Sequence, residues 1–135
     1  MGYKKIGVAF CVGLLKEARV AVKVLRSYGL EVYGAGCKVG KISKQTMGIP
    51  EEQNDTGCSI CNPVMQADLL AKQGTEFNVV IGLCVGHDTL FYKYSKAPVT
   101  TLCCKDRVLA HNPVAALYVA DSFYADRLFG DENKD

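Results

Sequence analysis

Four short apolar runs recur at intervals along the chain, each followed by a stretch with helical grammar. They are Lys5-Ile6-Gly7-Val8-Ala9-Phe10, Glu31-Val32-Tyr33-Gly34-Ala35-Gly36-Cys37, Asn78-Val79-Val80-Ile81-Gly82-Leu83 and Pro98-Val99-Thr100-Thr101-Leu102-Cys103-Cys104. Strands alternating with helices can bury both faces of a sheet only if the strands run parallel, with crossovers on either side. The expected fold is therefore an α/β three-layer sandwich with a mainly parallel four-stranded sheet. Right-handed crossovers favour the Rossmann- or flavodoxin-like order 2-1-3-4. At 135 residues the chain is one domain, 1–135.

The intervening segments carry matching signals. Leu14, Ala18, Ala21, Leu25 and Tyr28 form one apolar stripe at helical spacing, and Gly29 ends it. Asn62-Pro63 opens a second helix that runs to about Gln73. A short helix is expected over Thr89–Ser95, and a long closing helix from Asn112-Pro113 to about Phe129. Residues 38–61 show no periodicity and are punctuated by Gly40, Gly48, Pro50, Asn54, Asp55 and Gly57. They read as a long functional loop over the carboxyl edge of the sheet. Residues 130–135 read as a frayed polar tail.

Composition narrows the function classes. Net charge of +2 gives no reason to expect a nucleic-acid partner, and no apolar run is long enough to span a bilayer. The chain opens directly into a strand, so a cytoplasmic protein is expected. A homodimer is compatible with the sequence, although no stretch marks an interface. Seven cysteines are then the informative number: in a reducing compartment, an odd count at this density points to ligands, redox groups or nucleophiles. The bland alternative is a small buried hydrophobe.

Their positions favour the chemical reading. Cys11, Cys37, Cys84 and Cys103 or Cys104 each end a strand run, which is where open parallel sheets bind ligands. Strands ~4.8 Å apart would set Cys37, Cys11 and Cys84 in a row about 10 Å wide. The connection carrying Cys58-Ser59-Ile60-Cys61 crosses the same edge and can lay its C-x2-C over the row. Cys61 precedes a helix start, where unpaired N–H groups favour a thiolate.

Phe10-Cys11-Val12-Gly13 resembles Leu83-Cys84-Val85-Gly86, and a glycine after a cysteine lets the backbone approach a ligand. Gly13, Gly86 and Asn62 with Lys38 and Arg107 are the candidates for holding a small anionic ligand; Lys41, Lys44 and Lys105 could ring the same edge.

Metal binding needs soft ligands from separated segments, and Cys11, Cys37, Cys58, Cys61 and Cys84 supply them. One C-x2-C among scattered single thiols suits an iron–sulfur cluster ahead of zinc. His87, Cys103 and His111 are outer candidates. The alternative is a thiol-dependent enzyme, redox or sulfur-transfer, with Cys61 or Cys11 as nucleophile and His87 as base. A third reading is a non-enzymatic sensor or assembly partner whose loop over residues 38–57 orders on binding.

Gly82-Leu83-Cys84-Val85-Gly86-His87-Asp88 and Leu90-Phe91-Tyr92-Lys93-Tyr94-Ser95-Lys96-Ala97-Pro98-Val99-Thr100-Thr101 also resemble a bacterial and archaeal family of unknown function, DUF1847. Lys105-Asp106-Arg107, His111-Asn112-Pro113-Val114, Cys61-Asn62-Pro63 and Cys37-Lys38-Val39-Gly40 extend the likeness. The resemblance implies a metal-binding protein with a cysteine-rich N-terminal segment suggestive of redox activity. This chain starts at the first strand without that segment. What carries over is Cys11, Cys37, Cys58, Cys61, Cys84, His87 and His111.

Overall fold

The computed structural model describes residues 1–53 and 57–130. Four strands, β1 (Lys5–Phe10), β2 (Glu31–Gly36), β3 (Phe77–Ile81) and β4 (Val99–Cys103), form one all-parallel sheet ordered β2-β1-β3-β4. This is the expected α/β sandwich and strand order. Helix α1 (Leu15–Ser27) leads from β1 to β2, α2 (Pro63–Lys72) from β2 to β3 and α3 (His87–Tyr94) from β3 to β4.

The period-2 alternation of β1 sorts its side chains between the two faces. Val8 faces α1, which presents Ala21, Val24 and Leu25. On the opposite face, a β-carbon at Gly7 would lie 2.9 Å from Leu70 of α2 and 2.0 Å from the buried Asn78 Oδ1. The core is contiguous through Val8, Ala9, Leu70, Val80, Ile81 and Phe91, all within 1 % of full burial. Leu14 and Ala18 of the α1 stripe are buried, but Tyr28 caps the helix and is exposed.

The closing helix differs from expectation. In place of one continuous helix there are two five-residue helices, α4 (Val114–Tyr118) and α5 (Ala125–Phe129), separated by turns. Leu117, Tyr118 and Phe123 are exposed, so burial does not support the central turns, and short helices without packing are marginal. Beside α1, an apolar groove of about 770 Å³ opens over the β3–β4 half of the sheet, lined by Val20, Val24, Val79 and Leu102. Among the described residues no helix is long and apolar enough to cross a membrane.

The loop after β2 folds back on itself through an antiparallel bridge between Ser43 and Ser59. Lys44 N–H donates to the Cys58 carbonyl at 2.9 Å, and Ile60 N–H to Ile42 at 2.9 Å. Asn62 N–H then donates to the Cys37 carbonyl at 2.8 Å, returning the chain to its point of departure. The expected punctuation at Asn54 and Asp55, and the tail beyond Gly130, lie outside the described residues.

Candidate thiol site at the carboxyl edge

The parallel register brings the strand-end cysteines together. Phe10 is aligned with Gly36, so Cys11 and Cys37 leave the sheet side by side, and Cys37 N–H donates to the Phe10 carbonyl at 2.9 Å. Cys11 N–H is held by the Ile81 carbonyl of β3 at 3.2 Å. Gln66, fully buried on α2, fixes the two strand ends from below: its Nε2 donates to the Ala35 carbonyl at 2.6 Å and to the Phe10 carbonyl at 3.3 Å. One side chain thereby ties down the residue before Cys11 and the second residue before Cys37.

Asn62 caps α2 with its Oδ1 accepting from Met65 N–H at 2.9 Å, and Pro63 occupies the first turn, as expected. That cap turns Cys61 inward, and its Sγ lies 3.8 Å from Cys37 Sγ. Cys84, beyond β3, joins from the other side. Between Cys11 and Cys84 stands Lys105, whose Nζ is 2.9 Å from Cys11 Sγ and 3.2 Å from Cys84 Sγ. Cys11, Cys37, Cys61 and Cys84 therefore converge on one edge from four separate segments.

The electrostatics are uneven. The Cys37 thiol donates to Cys11, and against the cost of burial this bond, Lys105 and the Gly13 N–H hold the Cys11 thiol at about 4, far below its ordinary 9.0. Gly13 N–H lies 3.4 Å from Cys11 Sγ. Cys37 is pushed up in return, by the same bond and by its own burial, and keeps its proton. For Lys105, burial opposes the charge, but the Cys11 and Cys84 sulfurs outweigh it and the pKa rises. The arrangement favours the thiolate form of buried Cys11, with an ammonium on one side and a thiol donor on the other.

Other candidates fall outside this cluster. Cys58 is exposed and its thiol bonds to none of the other cysteines among the described residues. The C-x2-C pair is thus divided. Cys103 is half-buried against the core, which raises its pKa, and Cys104 faces outward. His87 opens α3 with its N–H on the Cys84 carbonyl at 2.8 Å, while its ring is hydrogen-bonded to no other described residue. Gly86 caps that helix at φ 91°.

His111 accepts Asp106 N–H on Nδ1 at 3.1 Å and donates its own N–H to the Asp106 carbonyl at 2.7 Å. It braces the turn that carries Lys105 and Arg107. Lys38 donates its ammonium to the Ser59 carbonyl, tying the long loop down. Arg107 reaches back over Gly13. Lys105 read in sequence as one charge among several at this edge; its position directly after the β4 cysteines was the available signal that it faces thiols.

Comparison with known proteins adds kinship. An uncharacterized protein of Methanocaldococcus jannaschii is 46% identical over 128 residues, covering 95% of this chain and 65% of its own length. The chain thus spans about two thirds of the length of that curated relative. No solved structure matches. A family model described as a protein of unknown function, DUF1847, matches residues 1–102. With strands, thiols and relatives in agreement, the chain belongs to the DUF1847 family.

Proposed function

We propose that the carboxyl edge carries out two-electron thiol chemistry, with Cys11 as the nucleophile acting on a small substrate that contains a sulfur–sulfur bond. The observation that supports it is the Lys105 ammonium set 2.9 Å from Cys11 Sγ, beside a buried neighbour thiol that donates to the same sulfur. A thiolate is the attacking form, and an adjacent cation keeps it ionised at neutral pH.

Chemically, the Cys11 thiolate attacks one sulfur of the substrate, forms a mixed disulfide and expels the other sulfur as a thiolate. Cys37 then attacks Cys11, forming the Cys11–Cys37 bond and releasing the second substrate thiol, which leaves with the proton of Cys37. Attack by Cys61 on Cys37 moves the disulfide outward and restores the Cys11 thiolate. The proton given up by Cys61 passes through solvent to the first expelled thiolate, so the substrate is reduced to two thiols and the protein dithiol is oxidised.

A zinc ion or iron–sulfur cluster is the second reading, supported by soft donors from four segments. The present arrangement does not fit it. Lys105 fills the space between Cys11 and Cys84, and among the described residues no group of three or more His, Cys, Asp or Glu is drawn together to hold an ion.

The test is alkylation of each cysteine in the reduced, metal-free chain, followed by peptide mass spectrometry, with zinc, iron and acid-labile sulfide measured beforehand on protein purified without oxygen or chelators. Fast modification of Cys11 at pH 6 supports the thiol reading. Stoichiometric metal that is lost on Cys37→Ser, with slow Cys11 after its removal, would turn the assignment to a metal centre.

A further inference from the structure

Arg107 is a cation at this edge that the thiol chemistry above does not use. A β-carbon built on Gly13 would lie 3.1 Å from Arg107 Nη2, 3.9 Å from its Cζ and 3.6 Å from Cys11 Sγ. The guanidinium and the sulfur therefore both lie against Gly13, on the side where any other residue would carry its side chain. Cys11 is buried, while Gly13, two residues on, is exposed.

Arg107 forms no ion pair among the described residues; the ion pairs seen are Lys5–Glu31 and Lys72–Asp68. Its neighbour Asp106 directs its Oδ1 to the Val108 and Leu109 N–H groups at 2.9 and 3.1 Å. A guanidinium is a fork of donors matched to oxyanions, and one held beside a nucleophile selects substrates that bring such an anion.

We propose that the substrate of this site is an anionic sulfane donor of the thiosulfate or thiosulfonate class, its oxyanion held by Arg107 across Gly13 while Cys11 attacks the outer sulfur. This rests on the thiol reading above and names its substrate class, with sulfite leaving in place of the first expelled thiolate. The Cys11 thiolate forms a bond to the outer sulfur of thiosulfate. The sulfur–sulfur bond breaks and sulfite leaves with its electron pair. Cys11 is left as a persulfide anion, and the total charge is unchanged. The step needs no external oxidant or reductant. Lys105, already against Cys11, neutralises the persulfide.

The reduced full chain would be mixed in parallel with thiosulfate and with the neutral disulfide of 2-mercaptoethanol. Sulfite release, and a gain of one sulfur atom on the Cys11 peptide, read the first reaction; mercaptoethanol adduct on Cys11 reads the second. In Arg107→Gln the ratio of the thiosulfate rate to the neutral rate is expected to fall about tenfold or more, the scale of one lost charge-assisted bond. Arg107→Lys should recover part of it. Gly13→Ala should slow thiosulfate by crowding the shared space.

An unchanged ratio in Arg107→Gln would overturn the assignment of the anion to Arg107. Reaction with the neutral disulfide but not with thiosulfate would overturn the substrate class and leave the thiol reading standing. A Cys11 inert to both reagents in the folded wild type would overturn the two together.

Discussion

Lys105 Nζ stands 2.9 Å from Cys11 Sγ although 94 residues separate them in the chain. The contact joins the turn after β4 to the end of β1 across β3, the strand that lies between them in the sheet. After the Cys37 thiol, it is the side-chain contact that most lowers the Cys11 pKa.

Removing that ammonium should be visible in the acidity of Cys11. In Lys105→Met the inflection of the Cys11 alkylation profile is expected to move up by about one to two pH units, the scale for loss of a neighbouring opposite charge. Mass spectrometry of the Cys11 peptide after timed alkylation across a pH series measures it. An inflection that does not move would separate the lysine from the thiolate.

The same group makes stability depend on pH. With the folded thiol at about 4 and the ordinary value at 9.0, the folded chain binds fewer protons than the unfolded chain throughout that window. Stability from this group is complete above the unfolded pKa and is lost as pH falls through the folded one. Cys37, shifted upward, keeps its proton in both states below the ordinary thiol range and does not cancel the trend there. Urea denaturation at pH 8 and pH 5 should show a larger loss on acidification in the wild type than in Cys11→Ser.

Mild oxidation should respect the geometry. Cys61 lies 3.8 Å from Cys37, which in turn donates to Cys11, whereas Cys58 and Cys104 are exposed and apart from them. Diamide treatment is expected to link cysteines within the trio Cys11, Cys37 and Cys61. Non-reducing peptide maps should find Cys58 and Cys104 still open to alkylation, and a dominant Cys58–Cys61 link would contradict the inward placement of Cys61.

Gln66 should prove to be a positioning residue. Gln66→Leu keeps the bulk but removes both donors to the ends of β1 and β2, with an expected cost of about 1–3 kcal/mol in urea unfolding. At pH 7 the variant should also alkylate Cys11 more slowly, with the inflection raised, because the Cys37 donor is no longer held against it. A change in stability with an unaltered profile would confine Gln66 to packing.

Gly7 tests the packing on the α2 face of the sheet. A methyl group there would come 2.0 Å from Asn78 Oδ1 and 2.9 Å from Leu70, and neither side chain is at the surface. Gly7→Ala is expected to destabilise by about 1–3 kcal/mol through overpacking, read as a lower midpoint in urea.

The sheet was legible because its signals agreed: β-rich runs, helix starts such as Asn62-Pro63, and the handedness of crossovers together left order β2-β1-β3-β4. The meeting of Cys11, Cys37, Cys61 and Cys84 follows from that topology. The division of Cys58 from Cys61 does not follow from a C-x2-C spacing alone. Ser59 sits in an extended bridge, where residues three apart point to opposite sides.

Nor could spacing show how far a lysine side chain reaches, so Lys105 read only as charge. The closing segment misled for another reason. Asn112-Pro113 has sound helix-start grammar, but Leu117, Tyr118 and Phe123 find no core to enter, and grammar without burial does not sustain a long helix.

Because Cys11, Cys37, Cys61, Cys84 and Lys105 come from five distant points in the chain, the proposed site is complete only once the last strand has docked. During synthesis and folding, the growing chain displays separate thiols of ordinary acidity. Only completion of the parallel sheet, the slow and non-local part of such a fold, brings them together. On the thiol reading proposed above, the chemistry is switched on by the end of folding itself, and the reactivity of one sulfur becomes a built-in report that the whole domain is finished.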